Sequence, residues 1–186
     1  MLLFTLTTDA KAIVSGEELD SLLYAVAAEN RDALERLYRR TCASVYSFAL
    51  SVLKDPHDAE DVLQETYLAI WRGAAGYASR GKPMAWMMTV TRNLCLQRLR
   101  EREKTADLSQ EEWESRIPDP DTLSPEDKTV LRTCMEQLSD GERQIVALHA
   151  VAGLRHRQIA ALLELPLSTV LSKYARAIKK LKQYLQ

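Results

Sequence analysis

The chain of 186 residues carries 25 lysine and arginine residues against 26 aspartate and glutamate residues, and 46% of its residues are hydrophobic. This length suits one ordinary domain or two small ones, and the hydrophobic fraction is sufficient for a packed core. The net charge of −1 excludes a generic polyanion binder. Only six glycines accompany long apolar patterns with a 3.6-residue period, so we predict an all-α protein.

The first hundred residues predict an N-terminal extension followed by four helices. Residues 1–16 begin with an apolar run but lack the basic start and the cleavage site of a signal peptide. Asp55 and Pro56 are typical of a helix start, as a cap and a first helical residue. The predicted helices cover residues 17–28, 31–53, 57–71 and 83–104. Residues 73–82 hold three of the glycines and predict a loop, and the four helices predict a first domain at residues 17–104.

A linker and a second helical domain follow. Residues 105–124 contain Pro118 and Pro120 and predict a linker, with a short helix near Trp113. This segment is strongly acidic, since residues 105–127 hold eight acidic residues and one basic residue. Further helices are predicted at residues 124–138 and 139–151, and the second domain is predicted at residues 125–186.

The end of the chain has the pattern of a helix-turn-helix. Residues 157–163 predict a short helix, and Pro166 interrupts it because its ring removes a backbone donor. Glu164 falls in the turn, where a left-handed backbone costs a non-glycine residue about 1 kcal/mol. We expect Ser168 and Thr169 to cap the second helix, which lies in the major groove of DNA in this motif. The candidate DNA contacts in that helix are Ser168, Thr169, Ser172, Lys173 and Arg176.

Charge is segregated along the chain in a way that a typical single-domain enzyme does not show. Residues 79–104 hold seven basic and two acidic residues, and residues 153–186 hold seven basic residues and one acidic residue. Two basic bodies are therefore joined by an acidic connector. The basic and amide side chains of the first body include Arg80, Lys82, Arg92, Asn93, Gln97, Arg98 and Arg100.

The helix predicted at residues 57–71 carries a different surface. We expect it to present an acidic rim beside an apolar strip, which suits a basic helical partner because apolar anchors supply affinity and charge steers the encounter. The residues of this surface are Asp58, Asp61, Val62, Leu63, Gln64 and Glu65.

No catalytic or cofactor-binding arrangement is present in the sequence pattern. The three histidines lie apart from any carboxylate or thiol at ligand spacing, and there is no glycine-rich phosphate loop. Cys42, Cys95 and Cys134 also lack metal-ligand spacing and are interpreted as buried free thiols in a reducing cytoplasm. No apolar run approaches the length of a membrane span. We therefore predict a cytoplasmic protein that is not an enzyme, has no metal or cofactor and does not insert into membranes.

Three segments together resemble the extracytoplasmic-function (ECF) group of bacterial sigma factors. Asp61, Val62, Gln64 and Glu65 resemble that family's core-polymerase-binding helix, and Trp86 with Arg92, Asn93 and Arg100 resembles its helix for the minus-ten promoter element. The segments Leu138-Ser139, Glu142-Arg143, Ile159-Ala160 and Pro166 to Val170 resemble its minus-thirty-five domain. The resemblance covers nearly the whole chain from about Leu19 onward.

The resemblance implies a function and partners. The chain is expected to bind core RNA polymerase through residues 58–65, to hold the melted non-template strand with the cationic residues of the first domain, and to recognise duplex promoter DNA with the last helix. It also implies an anti-sigma protein as a partner. For Tyr77 two roles remain open, stacking on a DNA base or packing within the protein. Trp86 is expected in the core.

Two other functions remain open at this point. A stand-alone helix-turn-helix regulator would use only the last helix for DNA and would leave the acidic surface unexplained. An interaction module derived from a sigma factor would have weakened promoter binding. Glu164 favours that alternative because the family's turn position suits glycine, and Leu171 favours it because the family usually carries a basic residue there.

Overall fold

The structure, a computed structural model, describes residues 15–78, 81–105 and 137–184 of the chain. These residues fall into two compact units, one within Val14–Ile117 and one within Pro118–Gln186. The described parts are helical and contain no β-strand, which confirms the predicted all-α class. Outside the described residues lie residues 1–14, Arg80 and residues 106–136, which include Cys134. The predicted N-terminal extension, linker and helix at 124–138 therefore fall outside the described residues, wholly or almost wholly.

Four helices build the N-terminal unit, close to the predicted positions. They are α1 (Gly16–Ala27), α2 (Arg31–Leu53), α3 (Pro56–Gly73) and α4 (Pro83–Thr105), with a 3₁₀ turn at Ala74–Gly76. Polar side chains begin three of them: Ser15, Asn30 and Asp55 each accept a backbone N–H from three residues ahead, at 3.0–3.1 Å. These caps satisfy donors that a helix start leaves unpaired, which explains why the sequence located the starts well.

The core of the N-terminal unit lies between α2, α3 and α4, with α1 packed against it. Its fully buried side chains include Leu37, Phe48, Ile70 and Met87. One polar contact crosses this core, since the Thr41 hydroxyl and the Tyr67 hydroxyl lie 2.7 Å apart. Burial raises the pKa of Tyr67, so the phenol stays protonated and the contact remains a hydrogen bond between neutral groups.

The described part of the C-terminal unit consists of α5 (Asp140–Val146), a π-helical turn (Ala147–Val151), α6 (His156–Leu163) and α7 (Leu167–Tyr184). The helix predicted at 139–151 is therefore present, but its second half has the wider π geometry. Apolar residues of α5 and α6 meet the inner face of α7, where Val170, Ala177 and Leu181 are buried. This packing fixes which face of α7 is left for a partner.

A buried carboxylate ties the start of α5 to α7. Glu142 accepts the backbone N–H of Ser139 at 2.9 Å, completing a capping box, and accepts the Lys180 ammonium at 2.7 Å. Burial alone would raise the pKa of Glu142, but the bonds from Lys180 and Ser139 outweigh it and lower that pKa to about 2. The carboxylate is thus charged across the physiological range and holds the two helices together.

We expect the C-terminal unit to lose stability in acid because of Glu142. A carboxyl whose pKa falls from 4.5 to about 2 on folding contributes stability above pH 4.5 that is lost as pH falls toward 2. Glu142→Gln should cost about 1–3 kcal/mol at pH 7 and remove this part of the pH dependence. Amide hydrogen exchange of α5–α7 in the full chain measures the effect. Asp140→Asn, on an exposed acid of the same turn, is the matched control; an equal loss in both variants would contradict the role of Glu142.

Candidate functional site

The exposed face of α3 is acidic and narrower than the sequence predicted. Asp61, Gln64 and Glu65 are partly or fully exposed, and they recur at the spacing that puts residues on one helix face. Leu68 continues this face and is 54% exposed. We call these four residues the α3 strip.

Val62 and Leu63 do not belong to the α3 strip, so their prediction as exposed apolar anchors is wrong. Val62 is fully buried and Leu63 is 9% exposed, because both side chains point into the core of the N-terminal unit. The apolar residue that the acidic face does present is Leu68, which sequence reasoning missed. Its position three and four residues beyond Glu65 and Gln64 was the available signal.

Arg98 of α4 reaches across to the acidic residues of α3. Its guanidinium lies 3.8 Å from Asp58, 3.4 Å from Asp61 and 3.2 Å from Glu65. The side chain is only 25% exposed. Arg98 was predicted to contact melted DNA, and in the structure this cation faces carboxylates of the neighbouring helix.

Arg102 extends the same bridge by one turn. Its guanidinium lies 3.0 Å from Asp55, contacts Asp58 and donates to the Leu53 carbonyl at 3.5 Å. Burial opposes ionisation of Asp55, but backbone N–H groups and Arg102 outweigh it and lower the pKa of Asp55. Asp58, which is predicted on the binding surface, is mostly enclosed by these two arginines. Its carboxylate helps to join α3 and α4.

The outward face of α4 carries polar and aromatic residues in one line. Its members recur three or four residues apart and are Trp86, Thr89, Asn93, Gln97 and Arg100. We call this line the α4 face. Asn93, Gln97 and Arg100 were predicted and are exposed, and Gln97 donates to Glu101 at 2.9 Å. Lys82 before the helix is also exposed, whereas Arg92 is half-buried.

Tyr77 belongs to the packing of the N-terminal unit. It is 7% exposed, its hydroxyl donates to Asp20, and its ring lies 4.9 Å from that of Trp86 and 5.9 Å from that of Tyr24. Of the two roles considered for Tyr77, base stacking and packing, the structure supports packing. Trp86 is half-buried, so the prediction of a core residue holds only in part. Its ring packs against that of Tyr77, and its position along the helix also places it on the α4 face.

The turn between α6 and α7 keeps helix-turn-helix geometry despite its glutamate. Glu164 has φ 56° and ψ 38°, the left-handed backbone expected there, and the following Leu165 N–H donates to the Ala160 carbonyl at 3.0 Å. The strain of a non-glycine residue is therefore accepted without loss of the motif. The expectation that Glu164 weakens the motif finds no support in the turn.

The exposed face of α7 contains most of the predicted duplex contacts. Ser168 and Ser172 are exposed, and Arg176 is 63% exposed with its Nε 3.9 Å from Glu142. Thr169 is half-buried. Lys173 is also half-buried and lies over Gly141, where an added Cβ would come within 3.0 Å of its Nζ.

The prediction that Ser168 and Thr169 cap α7 is wrong. The helix already begins at Leu167, and the Pro166 carbonyl accepts the N–H groups of Thr169 and Val170 at 3.0 and 3.1 Å. Both hydroxyl residues consequently lie within the first turn. Ser168 is thereby placed on the exposed face, among the residues that enter a groove first.

Two histidine side chains pack against Tyr174 of α7. His149 and His156 stack with ring centroids 4.3 Å apart, and both meet the Tyr174 ring at 4.8–4.9 Å. His149 Nδ1 lies 2.8 Å from the Leu154 carbonyl oxygen. Burial, followed by the neighbouring His149, lowers the pKa of His156, which favours its neutral form in the stack. His149 and His156 are therefore packing residues.

The described residues also bear on metal binding, thiol chemistry and membrane insertion. They contain no group of three or more His, Cys, Asp and Glu side chains that could hold a metal ion. Cys95 is buried, and burial raises the pKa of its thiol to about 12, while Cys42 is half-buried; both thiols are free. Among these residues, no helix is both long and apolar enough to cross a membrane.

Family comparisons agree with this arrangement of two helical units. Residues 37–105 match the family described as Sigma-70 region 2, and residues 128–181 match the family described as Sigma-70, region 4. These matches, together with the helical fold, define a transcription initiation factor of the sigma-70 class.

Relatives in the mycobacteria narrow the class. The chain is 31% identical over 176 residues to the ECF RNA polymerase sigma factor SigK of Mycolicibacterium vanbaalenii, covering 90% of this chain and 89% of that protein. It is 29% identical over 176 residues to the SigK of Mycobacterium ulcerans, covering 91% and 94%. The chain belongs to the ECF family of RNA polymerase sigma factors and is an alternative sigma factor.

Two solved structures share the fold. A structure of CnrH with the cytosolic domain of CnrY matches with a TM-score of 0.59 and 22% identity over 90% of this chain and 97% of that chain. The sigma factor RpoE from Bartonella quintana, in complex with the anti-sigma factor NepR, matches with a TM-score of 0.63 and 21% identity over 81% and 95%. At this identity the likeness concerns the fold alone.

Arg98→Ala should destabilise the N-terminal unit by about 1–3 kcal/mol, because it leaves three carboxylates of α3 without their shared cation. Arg100→Ala removes an exposed cation from the same helix and should change stability by no more than about 0.5 kcal/mol. Urea unfolding of both variants, followed by circular dichroism, compares them. Equal stabilities would show that the contacts of Arg98 contribute nothing measurable.

Proposed function

We propose that this sigma factor docks on core RNA polymerase through the α3 strip. Asp61 and Glu65 supply negative charge, and Leu68 supplies an exposed apolar side chain within one turn of Glu65 and about two turns from Asp61. Charge of this kind steers a basic partner and an apolar centre holds it, so the strip fits a basic helical surface with apolar residues. Arg98 would then be a positioning residue that keeps the carboxylates of α3 in one arrangement before docking.

The α4 face is our candidate for the melted non-template strand at the minus-ten element. Trp86 offers part of an aromatic ring, Asn93 and Gln97 offer amides for base edges, and Arg100 offers a cation for phosphate. Stacking and backbone charge are the two interactions that hold single strands. Binding unpaired DNA more tightly than duplex promotes strand opening without any bond chemistry by the protein. Lys82 and Arg80, before the helix, extend the cationic track in the sequence.

Duplex recognition at the minus-thirty-five element is assigned to the exposed face of α7. Ser168 and Ser172 lie in its first two turns, where a recognition helix meets base edges. Arg176 and Lys179 follow and suit phosphate contacts, which position the helix without reading sequence. Thr169 and Lys173, both half-buried, stay as secondary candidates.

The acidic segment at residues 105–127 and a regulatory partner complete the proposal. The sequence alone supports a role for the acidic segment. Its negative charge suits a basic channel that otherwise holds nucleic acid. The regulatory partner rests on the two structural neighbours, which are complexes with CnrY and with the anti-sigma factor NepR. We infer an anti-sigma protein for this chain as well, and action in the cytoplasm, where bacterial polymerase transcribes.

One observation carries the proposal: an acidic surface on α3 and a polar, aromatic face on α4 are held together by Arg98 in a single unit. A stand-alone regulator has no use for the first of these surfaces.

The test is equilibrium binding of the full chain to bacterial core polymerase without DNA. Tight one-to-one binding that a housekeeping sigma factor displaces is expected. A folded chain that does not bind would favour the stand-alone regulator.

Asp61→Arg and Leu68→Asp should each weaken core-polymerase binding at least tenfold, because one reverses the steering charge and the other removes the apolar centre. Fluorescence anisotropy with labelled variants measures the dissociation constants, and circular dichroism checks the fold. Glu17→Arg, which makes the same charge reversal on exposed α1, is the matched control and should bind normally. Native affinity in both α3 variants would remove the strip from the interface.

Arg176→Ala should lower the affinity of the polymerase complex for duplex promoter DNA and reduce the slope of log K against log salt by about 0.9, since one phosphate contact is lost. Ser172→Ala should instead weaken binding to the preferred sequence with the slope unchanged, because a base contact releases no counterion. Filter binding over a salt series distinguishes the two. An unaltered slope for Arg176→Ala would place that residue away from DNA.

A further inference from the structure

Leu171 is the exposed apolar residue on the part of α7 assigned to DNA. It is 47% exposed although the neighbouring Val170 is fully buried, so the helix turns Leu171 outward. Ser168 and Ser172 lie on the same exposed face, and Ala175 continues it. A single exposed leucine is ordinary on a protein surface, but this one lies in the first two turns of a recognition helix.

The surroundings of Leu171 argue for a nucleic acid rather than a protein groove. Toward the C-terminus the same face becomes cationic, with Arg176, Lys179 and Lys182 exposed. A protein partner on this face would need to be acidic, whereas duplex DNA supplies phosphates on both sides of the groove and base edges between them. The major groove offers one apolar group among those edges, the C5 methyl of thymine.

The proposal rests on the assignment of α7 to duplex DNA. We propose that Leu171 contacts the C5 methyl of one thymine in the major groove of the upstream promoter element, and so selects an A·T pair at that position. The side chain has no hydrogen-bonding group, and placing it against the amino group of cytosine or the oxygen of guanine would desolvate that group without replacement. Leu171 thus adds a specificity element that serine and arginine contacts do not supply.

At position 171 this chain has leucine where the family usually carries a basic residue, and the proposed thymine contact gives that difference a function. A basic side chain there would bind phosphate or guanine, and leucine exchanges that contact for recognition of thymine. The sequence preference of this sigma factor, and not only its affinity, would then depend on Leu171.

The experiment uses polymerase reconstituted from core enzyme and the full chain. Duplexes enriched from a randomised library define the upstream element that it prefers. Each thymine in that element is then replaced singly by deoxyuridine, which lacks only the methyl group. Binding of every duplex is compared for the wild-type chain, for Leu171→Ala and for Lys179→Ala, a matched control that removes an exposed cation from the same helix.

One deoxyuridine substitution should reduce wild-type binding about fourfold, the effect of one buried methyl group. Leu171→Ala should bind the thymine and deoxyuridine duplexes equally at that position. Lys179→Ala should bind all duplexes more weakly and retain the fourfold penalty. Cytosine methylated at C5, placed at the same position, should bind the wild-type chain better than unmethylated cytosine does.

Four results would overturn the inference. Uniform tolerance of deoxyuridine, or an equal penalty in Leu171→Ala, would remove Leu171 from methyl recognition while leaving the proposed function intact. A loss of core-polymerase affinity in Leu171→Ala, with unchanged DNA preference, would assign the residue to a protein contact. If the reconstituted polymerase enriches no upstream element, the assignment of α7 to promoter DNA fails, and this inference fails with it.

Discussion

The arrangement of the N-terminal unit depends on the guanidinium of Arg98, which faces Asp58, Asp61 and Glu65 across the α3–α4 contact. A cation shared by three carboxylates fixes how the two helices lie against each other, and Arg102 repeats the bridge one turn further on. Because Arg98 partly neutralises these carboxylates, α3 keeps an acidic surface with little repulsion between its negative charges. The same bridge leaves the α4 face pointing away from α3.

The C-terminal unit uses the same device with the charges exchanged. There a buried carboxylate, Glu142, draws Lys180 of α7 to the start of α5. Each helix assigned to DNA is thus positioned by an ion pair, with its outward residues left for nucleic acid. Some basic residues of the helices that we assign to DNA therefore serve the fold. Arg98 and Lys180 are of this kind, whereas Arg100 and Lys179 are exposed.

Helix positions and the family were predictable from the sequence, since caps such as Ser15, Asn30 and Asp55 and the apolar period act locally. The predicted surfaces were less accurate. Val62 and Leu63 looked like anchors because they adjoin acidic residues, yet in a helix adjacent residues face different directions, and both are buried. Leu68, four residues from Gln64, is the one exposed. Ser168 and Thr169 looked like caps, but the Pro166 carbonyl already lies at the start of α7.

What the sequence by itself determined is the all-α class, the helices of the first domain, the helix-turn-helix and membership of the ECF sigma factors, because local backbone preferences and motif order encode these. What only the tertiary structure decided is which charged and apolar side chains remain available to partners. Arg98 and Arg100 have the same side chain and lie two residues apart, and both were predicted from the sequence to contact DNA. Only the packing of α4 on α3 directs the first toward carboxylates and the second toward solvent.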